Sequence, residues 1–195
     1  MRQTGMAAPS APGGDELAGP VFAYSDPLAE KLLYYRARWA LPVAPEMPSI
    51  VPIVDPAPHL AREADAPRLT SIWTRAWSNL WDVYEHVERN ESVPGLTISY
   101  PALMDWQSQV VPAFLADDHY STWSVDAHAM RPAPLGTRYA AIEVEADSAY
   151  RRGVRSVYVL PVGGFWNVRI RDSILLVSVD THEDSTALAA ALGMQ

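Results

Sequence analysis

Val154-Arg155-Ser156-Val157-Tyr158-Val159-Leu160-Pro161-Val162-Gly163-Gly164-Phe165-Trp166-Asn167-Val168-Arg169-Ile170-Arg171-Asp172-Ser173-Ile174-Leu175-Leu176-Val177-Ser178-Val179-Asp180 is the stretch that decides the fold. Three β-branched and aromatic runs, Val154–Leu160, Phe165–Arg171 and Ile174–Asp180, are separated by turn chemistry at Pro161–Gly164 and at Asp172-Ser173. Connections this short leave no room for a helical crossover, so the spacing predicts an antiparallel meander. A two-residue turn at Asp172-Ser173 and a four-residue loop at Pro161–Gly164 then set a register. Val159 faces Trp166, which faces Val179, and the next rows are Val157, Val168, Val177 and Arg155, Ile170, Leu175. One face of the ribbon becomes apolar. Its reverse carries Tyr158, Asn167 and Ser178, then Ser156, Arg169 and Leu176, a mixed and wettable surface.

Outward from this ribbon, Trp123, Val125, Ala127 and Ala129 alternate with Ser124, Asp126, His128 and Met130, the two-residue period of a strand. Ala140, Ile142 and Val144 mark a further strand, giving a sheet of about five. Downstream, Thr181-x-x-Asp184 reads as a capping box opening a short helix stopped at Gly193.

The N-terminal half is helical. Asp26-Pro27 supplies a cap and a first-turn proline, followed by Leu28, Leu32, Tyr35 and Trp39 on one stripe. Asp65 and Pro67 open a second helix with Leu69, Ile72, Trp73, Ala76, Trp77, Leu80, Tyr84 and Val87 at three- and four-residue steps, ending near Asn90. A third is expected from about Pro101, with Leu103, Trp106, Val110 and Phe114 on one side. Between the first two, seven prolines from Leu41 to Pro67 enforce an extended, irregular path, which Ile50, Val51, Ile53 and Val54 are expected to pin to the body. The fold class expected is therefore α+β. N-terminal helices pack on one face of a roughly five-stranded antiparallel meander sheet, with a short C-terminal helix. Residues 1–20 read as a disordered tail, and 21–195 as one domain that includes the proline-rich segment 41–67.

Composition narrows the function classes. The chain of 195 residues has no cysteine, which removes thiol nucleophiles, thiolate zinc sites and disulfides. A net charge of −8 opposes phosphate neutralisation, so nucleic acid is not the expected partner. No apolar run approaches the length of a membrane span, and the N-terminal residues lack the apolar segment of a secretory leader, so a cytoplasmic location is expected. A single lysine, Lys31, beside abundant arginine, alanine and proline is the bias of a high-GC coding sequence, such as that of a bacterium or its phage.

The chemistry-bearing candidates are few. Asp126-x-His128 places two ligand types on one side of the expected strand, with Glu143 or Glu145 opposite, a set that suits a divalent metal; the plain alternative is a solvated face balanced by Arg169 and Arg171. Trp73, Trp77 and Trp81 form a stacking platform or, more simply, core, with Trp81 nearest the rim. Arg151, Arg152 and Arg155 cluster before the third strand, while Asp117-Asp118-His119 and His182-Glu183-Asp184 sit at helix ends. The candidate binding residues are thus Asp126, His128, Glu143, Tyr158, Asn167, Arg169 and Trp81. No nucleophile elbow, HExxH, GxGxxG or phosphate loop occurs, and no catalytic residue, metal or cofactor is expected.

Gly164-Phe165-Trp166-Asn167-Val168-Arg169-Ile170, with helices preceding a long sheet, resembles the NTF2-like architecture over the last third of the chain. That resemblance implies a pocket between sheet and helices. The functional expectation is a non-catalytic, acidic protein-binding module of the immunity, regulatory or adaptor type with a basic partner. The alternatives are an NTF2-like ligand-binding or enzymatic domain and a virion or assembly protein.

Overall fold

A strand apolar at every position can be buried on both faces, whereas one that alternates needs a wet side or an edge. That distinction sets the observed sheet. The computed structural model describes residues 19–24, 27–42, 47–57, 66–88 and 119–193. Their elements are β1 (Val21–Tyr24), α1 (Pro27–Arg38), α2 (Ala66–Glu88), α3 (His119–Ala129), a 3-10 segment (Gly136–Ala141), α4 (Glu143–Arg151), β2 (Ser156–Leu160), β3 (Asn167–Arg171), β4 (Ile174–Ser178), α5 (Val179–Glu183) and α6 (Ser185–Gly193). The protein is α+β, and the described strands form one mixed sheet of order β1-β2-β4-β3. β2 runs parallel to β1 and to β4; β3 runs antiparallel to β4.

The antiparallel meander of about five strands expected from the sequence is not what forms: among the described residues the sheet has four strands and is mixed, and β3 does not lie between β2 and β4. β4 lies between β2 and β3, with Val157 beside Leu175 and Val159 beside Val177. The reason is legible in composition: β4 reads Ile-Leu-Leu-Val and is buried throughout, as is β2, while β3 alternates Val168 and Ile170 with Asn167, Arg169 and Arg171. Placing β3 centrally would bury three polar side chains; at the edge they reach water. Pro161–Gly164 is accordingly no tight hairpin. It carries the chain past the end of β4, with Gly164 at φ +73°, where a β-carbon would be strained.

The Asp172-Ser173 turn forms as expected and pairs Arg171 with Ile174. A bulge then shifts the ladder by one residue, so that Arg169 faces Leu175 and Asn167 faces Val177. A one-residue slip exchanges faces. Trp166, Val168 and Ile170 therefore pack on one side of the sheet, while Val177 and Val179 pack on the other, and the single apolar face expected from the meander register is two.

Each face has its own core. On the first, Tyr158, Leu160, Ile174 and Leu176 meet α1, α2 and α3 through Leu32, Leu33, Tyr34, Tyr35, Ile72, Trp73, Trp77, Leu80, Trp81 and Trp123. On the second, Val157, Val159, Leu175 and Val177 meet α4 and α6 through Ile142, Ala146, Ala149, Leu188, Ala191 and Leu192. Helices thus cover both faces of the sheet, whereas the NTF2-like resemblance implies helices and a pocket on one face.

Two expected strands are helices. Residues 119–129 form α3, in which Trp123 and Ala127 are buried and Val125 is 68% exposed. Residues 136–141 form the 3-10 segment and 143–151 form α4, with Ile142 buried at their junction, Ala146 and Ala149 buried on α4 and Val144 exposed. β1, which carries no periodic signal, takes the second edge. The first two expected helices are present, with α2 spanning Ala66–Glu88. The expected cap Asp26, the helix from Pro101 and Asp117-Asp118 lie outside the described residues. Near the C-terminus, Ser178 caps α5 by accepting from Thr181 N at 3.1 Å. Asp184 caps α6, accepting from the backbone of Thr186 at 2.8 Å and Ala187 at 2.9 Å, rather than closing a box begun at Thr181.

Candidate functional site

The residues expected to form a binding face do not converge. Asp126 and His128 are exposed on α3, where a two-residue step turns side chains about 200° apart. Glu143 opens α4 in solvent on the other side of the sheet. Tyr158 and Trp81 are core, their rings 5.4 Å apart at 62°, and Trp81 is fully buried instead of sitting at a rim. Asn167 is half-buried on the edge strand. Arg169 is exposed and donates to the carbonyls of Asp172 and Arg152. The arginine cluster is also dispersed: Arg151 pairs with Asp147 at 2.5 Å, Arg152 donates to Ser148 Oγ at 2.6 Å, and Arg155 donates to Tyr150 O at 2.7 Å. Among the described residues no group of three or more acids and histidines is placed to hold a metal ion.

The parallel strands β1, β2 and β4 end at one edge of the sheet, where ligands of open parallel sheets commonly bind. Here that edge is filled. Glu30, almost wholly buried, pairs with Arg131 at 2.6 Å, and the Tyr24 hydroxyl donates to Pro132 O. Arg138 ties the 3-10 segment to α5 by donating to Glu183 O at 2.9 Å and His182 O at 3.3 Å. The His182 imidazole is 2% exposed, set edge-on to Phe22 and Tyr24. Burial, reinforced by the Arg138 charge, lowers its pKa from 6.5 to about 4, so the ring is neutral at pH 7. The space left among Tyr24, Glu30, Arg131 and Pro132 is about 10 Å³, no more than one water. Ser178 Oγ and Thr181 Oγ1, 2.9 Å apart, are spent on the α5 cap and on Trp166 N.

An open concavity lies elsewhere, between the C-terminal half of α1 and the proline-rich segment. It measures about 420 Å³ and is lined by Arg36, Ala37, Ala40, Leu41, Met47, Pro48, Ser49, Ile50, Ile53, Val54 and Pro56. Local chemistry builds both walls. α1 ends in a paired closure, Ala40 N to Ala37 O at 3.1 Å and Leu41 N to Arg36 O at 3.0 Å, with Ala40 in the left-handed region at φ +49°. The prolines hold the opposite wall extended. It is fastened by Val51 N to Pro161 O (2.9 Å), Gly163 N to Ser49 O (3.0 Å), the Trp123 indole to Pro52 O (2.8 Å) and Arg38 to Asp55 O (2.6 Å). Ile50 is buried as the pinning residue expected of it, whereas Ile53 is 81% exposed at the mouth.

Arg36 is the charged residue in the lining of this groove. Its guanidinium is half-buried, donates to Met47 O at 3.3 Å, and has no carboxylate partner among the described residues. Burial alone holds its pKa below the ordinary arginine value. Sequence reasoning passed over Arg36 and Ile53 because neither breaks a pattern: Arg36 lies off the apolar stripe of α1, and Ile53 looks like one more anchor. The usable signal was four aliphatic residues in a stretch whose prolines prevent them from all turning inward. Comparison with protein-family models, curated proteins and solved structures found no match.

Proposed function

We propose that this chain is a non-catalytic protein-binding module whose contact surface is the groove between α1 and residues 47–57. The observation that carries the reading is the combination of an open apolar groove, an exposed isoleucine at its mouth and a half-buried arginine without a carboxylate partner among the described residues. Helices cover the sheet face first expected to bind, and the reading moves to the groove. The net charge of −8 favours a basic partner at long range, consistent with an immunity-type, regulatory or adaptor role in the cytoplasm of a high-GC bacterium or its phage.

A photo-crosslinking residue placed at Ile53 tests this against the same residue at Val144, which is equally exposed but lies on the far face. Adducts in lysate of the source organism should form at position 53, be competed by the unlabelled chain, and resist competition by Ile53→Asp. The same adducts at both positions, or none at 53, would contradict the proposal.

A further inference from the structure

We infer that the groove is a receptor for the free C-terminal end of a partner chain, taking an aliphatic last residue between its walls and the terminal α-carboxylate on Arg36. The inference rests on the protein-binding reading above and specifies its ligand chemistry. A guanidinium presents five N–H donors in a fixed fork that matches a carboxylate, and Arg36 spends one of them on a carbonyl at 3.3 Å. Removing such a group halfway from water without an anion is costly, and a carboxylate arriving from outside would offset that cost. Most of the remaining lining is hydrocarbon, from Ala37, Leu41, Met47, Ile50 and Val54, beside the one hydroxyl-bearing residue Ser49, which suits an aliphatic side chain.

Size and charge select the occupant. About 420 Å³ falls in the lower part of the ~300–1,000 Å³ range of ligand pockets, room for the last two or three residues of a peptide and too little for a helix face. A chain of net charge −8 repels an acid-rich segment, so the anion it admits is a single terminal carboxylate on an otherwise neutral or basic tail. Exposed Asp55, between the lining residues Val54 and Pro56, shares the rim with Arg38, so the preference for a lysine or arginine a few positions upstream rests on the net charge of the chain. The recognised element is thus basic residue, short spacer, aliphatic C-terminus.

The test uses fluorescein-labelled pentapeptides of two lysines, an alanine and two aliphatic residues, each made as the free acid and as the C-terminal amide, titrated against the full chain. Valine, leucine, isoleucine and methionine are varied at the last position. The acid of at least one member should bind at least tenfold tighter than its amide. Arg36→Gln should abolish that difference, Arg36→Lys should retain part of it, and Ile53→Asp should weaken both forms. Thermal melts of each variant confirm folding before binding is read.

Equal binding of acid and amide across the set would overturn the inference, as would an acid preference that survives Arg36→Gln. Decanoate binding that depends on Arg36, with no peptide bound, would overturn it in favour of a small amphipathic ligand. If crosslinking at Ile53 succeeds while every acid–amide pair is equal, the C-terminal specificity fails and the protein-binding reading stands.

Discussion

The two faces of the sheet are covered by helices of opposite construction. On the α1–α3 side the filling is aromatic: Trp73 and Trp77 stack at 5.2 Å, Trp81 meets Tyr158, and Tyr34 meets Trp123. Two indoles are also tethers, Trp73 to Leu32 O at 2.6 Å and Trp123 to Pro52 O at 2.8 Å. On the α4–α6 side Ala146, Ala149 and Ala191 bring helices close to one another and to a valine- and leucine-lined sheet. Large rings hold elements apart and orient them by hydrogen bonds; small residues let backbones approach and orient them by fit. The aromatic face alone extends beyond the sheet, through Trp123, to the proline-rich segment, and the groove forms at that margin.

The comparison predicts opposite sensitivities. Trp73→Ala removes a fully buried ring and the tether to α1, and should cost about 3–5 kcal/mol in chemical denaturation. A cost below about 1 kcal/mol would mean that this face is not packed as described. His182, on the other face, sharpens the contrast through pH. Its folded pKa is depressed below the unfolded value, so the unfolded chain takes up the proton first. Stability is therefore lost as pH falls from about 6.5 to about 4, by roughly 3 kcal/mol in total, and no further below that. In His182→Phe, which keeps an aromatic ring beside Phe22 and Tyr24, the stability difference from the parent should change across that window; parallel pH profiles would refute the buried neutral ring.

Ala149→Leu should destabilise by about 1–3 kcal/mol through overcrowding between α4 and the sheet, whereas a similar enlargement at the exposed Val144 should be near neutral. The smallest effect lies at the margin. Ala40→Gly relieves a left-handed alanine at the end of α1 and should raise stability by about 1 kcal/mol, less the entropy glycine adds to the unfolded chain. A loss of stability there would count against the Ala40 geometry.

How far the sequence foretold this depends on the residues. α1 and α2 were legible because their apolar residues recur at helical steps over eleven residues or more, and the Asp172-Ser173 turn because its flanks are both strand-like. α3 was misread for a physical reason. Trp123 and Ala127 are four residues apart, a step that satisfies a period of two and a period of 3.6 alike, and only the 68% exposure of Val125 separates them. Ile142, Ala146 and Ala149 were hidden by Ala140 and Val144 in the same way. The strand order could have been read from Ile174–Val177, an unbroken apolar run that belongs at a sheet's centre, but the shortness of the loops argued for neighbours in sequence being neighbours in space. Of the candidate binding residues, Tyr158 and Trp81 went to the core and the others scattered, because their grouping depended on two strands that are helices. The groove combines a helix end with an irregular segment, and no periodicity announces such a meeting.

Everything in the two-face comparison depends on β4 lying between β2 and β3. Backbone nuclear Overhauser contacts in the isotopically labelled full chain test that most directly. The account predicts cross-strand contacts from Tyr158 and Val159 to Leu176 and Val177, with Asn167 and Val168 paired to β4 and not to β2. Contacts joining Val157 and Val159 to Val168 and Trp166 would restore the meander and contradict it.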